Sequence, residues 1–416
     1  MNAKEVDRVR RVVITGMGIV SPIGIGKEQV LRSMEESRIA ADKIHSFDAS
    51  NLPVRIAAEI KDFDPESFID KKLCRRTDRF VHFALAATKE ALDQAKINVS
   101  DFSERTAVLI ASGMGGFITL DTENGKFISS GPSKVSPFLI PMLLINMASG
   151  IVAIEYGIKG PNLAPVSACA ASGHAVAIGT MLVRHGYADV AIVGGAEATI
   201  APLPITGFAN MKALSNRNEE PQKASRPFDV DRDGFVMGEG GAVLVIEAEE
   251  IARQRGAQIL AEIKGFGMND DAHHMSAPDP EGAGAEKAMK MALQDARVDP
   301  DQIDYVSCHA TSTPAGDLAE AKAIERLLGK RAYVNSSKAL MGHLLGAAAA
   351  AELVIAILQM QNDFIHAMPN LDNLDPQINI NAVGKTPVRT RINNFVKNSF
   401  GFGGHNVSLV VGRYQG

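Results

Sequence analysis

Cysteine is scarce. Only Cys74, Cys169 and Cys308 occur in 416 residues, an odd number with no metal-type spacing. A disulfide framework is excluded as the organising device, and a reducing compartment fits. Blocks of like charge are missing too: the formal net charge of −5 is spread without basic or acidic runs, which excludes a phosphate-backbone footprint for nucleic acid. An acidic partner protein would need a local basic patch. No apolar leader core precedes the first strand in residues 1–11, so no secretory signal is expected and a cytoplasmic location is. Residues 342–360 are the most apolar long run, but Glu352 interrupts them and their alanine-rich face suits a buried core helix rather than a membrane span. Gly16-Met-Gly-Ile-Val lacks the third glycine of a dinucleotide fingerprint, and Pro22 interrupts the helix start.

What is present is ordinary globular composition, 46% hydrophobic and 22% charged, with length enough for a large core. The chain is organised around Val166-Ser-Ala-Cys-Ala-Ala-Ser-Gly-His174, where small residues turn a strand into a Gly/Ala-rich helix over 173–184. A cysteine at a helix N-terminus meets unpaired amides and the positive end of the dipole, which favour a thiolate and hold an oxyanion. Taken alone, the same cysteine reads equally as a buried core residue.

Periodicity predicts a strand at 11–20, a helix at 26–36, a helix at 78–95, a strand at 106–111 and a helix over 137–156. Residues 118–136 read as a polar surface excursion, and 234–247 as two glycine-linked strands. From residue 259 the pattern restarts. Residues 305–309 parallel 106–111, residues 333–348 parallel the cysteine stretch, and 398–411 echo 234–246. This weak duplication predicts two similar α/β halves, 1–255 and 256–416, with a site in the cleft between them.

Three polar clusters in the second half follow apolar elements: His309-Ala-Thr-Ser-Thr-Pro-Ala-Gly-Asp317, Ser337-Lys-Ala-Leu-Met-Gly-His343 and Ser399-Phe-Gly-Phe-Gly-Gly-His405. Singly, each has a bland reading as a capping histidine, a solvated lysine or a set of turn glycines. Loops at one edge of an α/β sheet are, however, where reacting groups collect.

On these segments, together with Ala-Ser-Arg-Pro-Phe-Asp229 and Asp-Gly-Phe-Val-Met-Gly-Glu-Gly240, the chain resembles the elongating β-ketoacyl-acyl carrier protein synthases (type II) across residues 10–414. The resemblance implies the thiolase-like fold, two duplicated α/β halves in an α-β-α-β-α stack. It implies a homodimer, a carrier-protein partner in acyl and malonyl forms, and no cofactor beyond the phosphopantetheine that the carrier brings. Cys169 is then the acyl acceptor, and His309 and His343 face it. Lys338 is the site lysine with Glu352 as its partner, and Phe402 gates the site and lends its amide to the oxyanion hole. Thr311 and Thr313 are implied to hold the phosphopantetheine arm. Phe400 shares the gate loop, and Met114 and Phe208 line the acyl pocket. Lys212 meets the carrier arm, while Asp271 and Ser276 belong to a second mobile loop. The chain departs from the pattern at Ala310, Ser337, Met341 and Lys212. His405 is read as structural.

Rival readings rest on other residues. A thiolase needs a second cysteine in the last loop, which is Gly-Phe-Gly-Gly-His here; an initiating synthase needs asparagine at His343; a chain-length-factor-like subunit lacks the nucleophile. A polyketide-type condensing enzyme stays open as an alternative. A zinc site from Cys169, Cys308, His309 and His343 would have to use Cys308 and His309 together, neighbours expected on one strand and pointing to opposite faces. A cysteine peptidase would leave one histidine and the lysine unexplained.

Overall fold

Apolar runs of eight to ten residues, rich in Val and Ile and buried on both faces, form the spine of a computed structural model that describes residues 9–416. The reading of residues 1–11 as free of a leader rests largely on residues 1–8, which lie outside the described residues.

In the first half the main strands are Val12–Ser21, Thr106–Ala111, Asn162–Leu163, Val190–Glu197 and Gly240–Ala248. In the second they are Ala261–Asp270, Tyr305–Ser307, Tyr333–Asn335, Asn394–Gly401 and His405–Gly412. Taken in chain order, both sets lie third, second, fourth, fifth, first across the sheet. In both, the first three neighbours are parallel and the last two pairings antiparallel. The second half adds Asn381–Ala382 outside its third strand. The two sheets join where residues 12–14 pair antiparallel with 261–263.

Helices Ala171–Arg184 and Ala348–Asn362 pack against each other between the two sheets. Arg79–Ala95 covers the outer face of the first sheet and Ala283–Ala296 that of the second, which completes the α-β-α-β-α stack of a thiolase-like fold. Small side chains make the middle layer thin: Ala348 to Ala351 are all buried. Leu345–Asn362 is long and apolar enough to cross a membrane, but 89% of it is buried within this middle layer.

The structure departs from the sequence reading in several places, one being the strand expected at Val166, which ends at Leu163. The excursion at 118–136 is largely a helix, Phe117–Ser130, whose exposed polar face and central Gly125 hide its period. The single helix over 137–156 is two, Leu139–Leu143 and Met147–Tyr156, because Pro141 weakens the first and Leu144 turns extended. Only Gly240–Ala248 of the glycine-linked pair is a ladder strand, and it pairs antiparallel with Val190–Glu197 and Val12–Ser21. Residues 235–238 make isolated bridges instead, one of them between Met237 and His343.

Candidate active site

Cys169 sits on a tight elbow. Ala168 adopts φ 49°, a left-handed conformation that costs a non-glycine residue, and a single 3-10 turn (Ala168–Ala170) then feeds Ala171–Arg184. The Cys169 amide therefore lies in a first turn, where no in-helix acceptor exists. The second half repeats the device: Leu345 has φ 46°, the 3-10 turn is Leu345–Ala347, and helix Ala348–Asn362 follows. In that copy Gly346 occupies the cysteine's place.

Beside the elbow runs the turn 401–404. A Cβ added at Gly401 would stand 3.3 Å from the Cys169 amide nitrogen and 2.5 Å from the Ser167 carbonyl oxygen, so only glycine lets the two backbones approach. Gly401→Ala is accordingly expected to lower self-acylation sharply while leaving secondary structure intact, measured by intact-protein mass after exposure to an acyl thioester and by circular dichroism. Phe402 follows, its ring 6.3 Å from that of Phe208.

The reactive atoms of Cys169, His309 and His343 all lie within 4.8 Å of one another, and the two imidazoles meet edge to face at 5.5 Å. Cys169 and His309 are partly exposed to the cavity, and His343 is buried. Backbone clamps fix both histidines. The His343 amide donates to the Val236 carbonyl (2.8 Å), and the His343 carbonyl accepts from Gly238 (2.8 Å). Glu320 accepts from the amides of His309 (3.0 Å) and Ala310 (2.7 Å). Lys338 donates to the His309 carbonyl (2.6 Å) and pairs with Glu352 in full burial. Cys308 points the other way, into the core between Ala283–Ala296 and Pro314–Leu328.

Electrostatics here are set by burial. Burial pushes the Cys169 thiol up to about 12, against the pull of Lys338 and with a further push from Glu197. Burial thus works against the thiolate expected at a helix terminus, and the resting group is a thiol. Burial likewise holds His309 and His343 well below the usual imidazole range, Lys338 adding to it in both, so both rings are neutral.

A cavity of about 350 Å³ opens over these groups. Its wall brings together Cys169, His309, His343, Thr311, Thr313, Phe400, Phe402, Phe208, Lys212, Asp271 and Ser276. Thr311 and Thr313 place their hydroxyls 3.0 Å apart on the wall. The two proposed mobile loops are tied together, Gly403 donating to the Met275 carbonyl (2.8 Å) and Asp271 to that of Gly404 (2.9 Å). Lys338 and Glu352 stand behind the wall. Met114 is not brought to it; it packs with Cys169 and Phe208 on the cluster that contains Ile200, Ile205 and Leu345.

Sequence reasoning missed three buried charges. Glu197 closes its strand and accepts from the Ser112 hydroxyl (2.7 Å) and from the amides of Gly113 (2.7 Å), Met114 (3.2 Å) and Gly346 (2.9 Å), tying the loop after Ala111 to the second elbow. Glu320 and Lys397 are the others, buried at 1% exposure each. The available signal was an ionisable residue inside an otherwise apolar strand or helix face.

The family profile described as "Beta-ketoacyl synthase, N-terminal domain" matches residues 9–252, and "Beta-ketoacyl synthase, C-terminal domain" matches 260–372. The chain belongs to the β-ketoacyl synthase family. Relatives in that family include "3-oxoacyl-[acyl-carrier-protein] synthase 2" of Synechocystis sp., 43% identical over 98% of this chain and 99% of its own length. The protein of the same name from Coxiella burnetii is 44% identical over 97% and 99%. A solved β-ketoacyl synthase from Burkholderia phymatum superposes with TM-score 0.92 at 32% identity, covering 98% of this chain and 100% of that one. As a β-ketoacyl synthase the chain is a condensing enzyme of the acyltransferase type.

Proposed function

We propose that this β-ketoacyl synthase joins an acyl chain held on Cys169 to malonyl-acyl carrier protein, releasing carbon dioxide and a 3-oxoacyl-acyl carrier protein that lengthens a fatty acid. The observation that carries the reading is the facing set of one thiol and two neutral imidazoles on a cavity walled by paired threonines.

In the first half-reaction Cys169 Sγ bonds to the acyl carbonyl carbon. Its proton passes to a neighbouring neutral imidazole and from there to the departing phosphopantetheine sulfur. The amides of Cys169 and Phe402 hold the tetrahedral oxyanion. In the second, the bond between the malonyl carboxylate and the α-carbon breaks. Its electron pair enters an enolate whose oxygen accepts from the N–H groups of His309 and His343. The α-carbon then attacks the acyl-cysteine, and Cys169 leaves as thiolate and draws its proton from solvent. Neutral rings suit this work, because the carbanion arises by loss of carbon dioxide and needs no strong base. No metal enters either half-reaction, and the phosphopantetheine arrives with the carrier.

Lys338, held by Glu352, orients the loop of His309 through its carbonyl. Thr311 and Thr313 receive the phosphopantetheine arm with Lys212 at the mouth, and Phe400, Phe402, Asp271 and Ser276 form two coupled gates. Phe208 lines the acyl path, and Met114, behind it, takes the chain end. Residues 1–255 supply the nucleophile half and 256–416 the histidine half. A second copy pairs on the edge strand Asn162–Leu163, where Leu163 and nearby Val166 are exposed. The cytoplasm is the proposed location.

His309→Ala and His343→Ala are each expected to lose malonyl decarboxylation by a factor of about 10²–10³ while self-acylation falls far less. Carbon dioxide release and intact-mass acylation are read separately. Equal loss of both half-reactions would remove the enolate-holding role.

A further inference from the structure

We propose that Lys397 is a positioning residue for the condensation: a second buried ammonium that, with Lys338, keeps His309 and His343 in the neutral, donating form. This rests on the donor role proposed above for those histidines.

Lys397 lies in the strand Asn394–Gly401, and its side chain is fully buried. The ammonium donates to the Asn398 carbonyl and to Ser399 Oγ (3.1 Å), and stands 2.7 Å from Glu352 Oε2. Lys338 takes Oε1 of the same carboxylate. One carboxylate therefore bridges two lysines in the dry middle of the protein, where burial pulls the Lys397 pKa down and Glu352 holds it up. Glu320 stands beyond Asn398, whose side-chain amide donates to it (3.1 Å).

Packing does not require a lysine there. An apolar side chain of similar length would fill the space without the cost of stripping water from an ammonium. Lys338 reaches only Oε1 of Glu352, so Lys397 serves both as the cation beside Oε2 and as a second positive charge. The cluster meets the site through Lys338, which donates to the His309 carbonyl (2.6 Å). The charged and titratable groups around the two histidines are Cys169, Lys338, Lys397, Glu352, Glu320 and the other imidazole. After burial and Lys338, Lys397 is among the groups that lower both rings. A Lys338–Glu352 pair alone is neutral overall; with Lys397 the cluster opposes protonation of either imidazole. Sequence context gives the same contrast, since Lys397 opens the segment Lys-Asn-Ser-Phe-Gly-Phe at a position flanked by buried Val396 and Asn398.

The test is the pH dependence of malonyl-acyl carrier protein decarboxylation in the whole enzyme, in Lys397→Met and in Lys397→Gln. Gln keeps a donor for the Asn398 carbonyl and Ser399 and removes only the charge, so it answers where Met fails to fold. A histidine whose pKa rises is protonated at higher pH, which removes the donating neutral ring from the acid side. The acid limb of the rate is therefore expected to move up by about one pH unit in both variants, with the alkaline plateau kept. A merely structural role would scale the rate at every pH. An unmoved limb in Lys397→Gln overturns the proposal, and so does failure of both variants to fold, which would assign the charge to the fold. The donor reading fails elsewhere, in His309→Ala and His343→Ala that still decarboxylate.

Discussion

Cys169→Ala is expected to abolish the one-acyl mass increase that the protein shows after incubation with an acyl-acyl carrier protein, and to lower condensation by a factor on the order of 10⁴ or more. The variant should still release carbon dioxide from malonyl-acyl carrier protein, because both imidazoles and the Lys338–Glu352 pair remain in place. That split separates the two half-reactions in one protein. A mass increase that survives in Cys169→Ala would place the acyl group elsewhere and sink the assignment. The thiol's raised pKa adds a condition: with the resting group protonated, self-acylation is expected to depend on a neutral imidazole in reach rather than on pre-formed thiolate. Small alkylating agents that report thiolate should react slowly with Cys169 near pH 7.

The second large effect concerns Glu352. Glu352→Gln leaves Lys338 and Lys397 as two buried ammoniums without their shared counter-charge, which is expected to cost about 3–5 kcal/mol of stability. The loss is measured by denaturant unfolding. Adding Lys397→Met to the same variant removes one of the two unpaired charges and should recover part of it. An unfolding midpoint that does not move in Glu352→Gln would show that the pair is neutralised in some other way. The expected cost is large because the helix Ala348–Asn362 lies in the middle layer, where water cannot reach either lysine.

How much of this was legible in the sequence differs by scale. The duplication was legible because both halves repeat a strand, a small-residue turn and an Ala/Gly-rich helix, and the sheet order repeats with them. The cysteine elbow was legible for the same reason: Ser, Ala and Gly around Cys169 have no use on an ordinary strand end. The residues of the three second-half loops were legible as polar clusters after apolar elements, and the cavity wall gathers most of them.

What was hidden depends on contacts far apart in the chain. Glu197 reads as one acid at the end of an apolar strand, and only folding brings Ser112, Gly113, Met114 and Gly346 onto its carboxylate. Lys397 went unremarked in the sequence, because its partner Glu352 comes from a helix 45 positions earlier. The thiol state was misread because the helix terminus is a local feature, whereas desolvation is a property of the finished cavity. Residues 234–239 failed as a strand because their partners, Ala58, Leu214 and His343, come from three separate segments.

The second elbow has a consequence for how labour is divided within one polypeptide. Gly346 stands where its counterpart carries sulfur, and a Cβ there would run into the Gly113 amide and the Glu197 carboxylate. The position cannot be refilled by a point change, since any side chain would break the ties that Glu197 makes to the loop after Ala111. The repeat visible in the strand order is thus broken at one side chain. With Cys169 as the proposed acyl acceptor, each chain is expected to carry a single acyl group at a time.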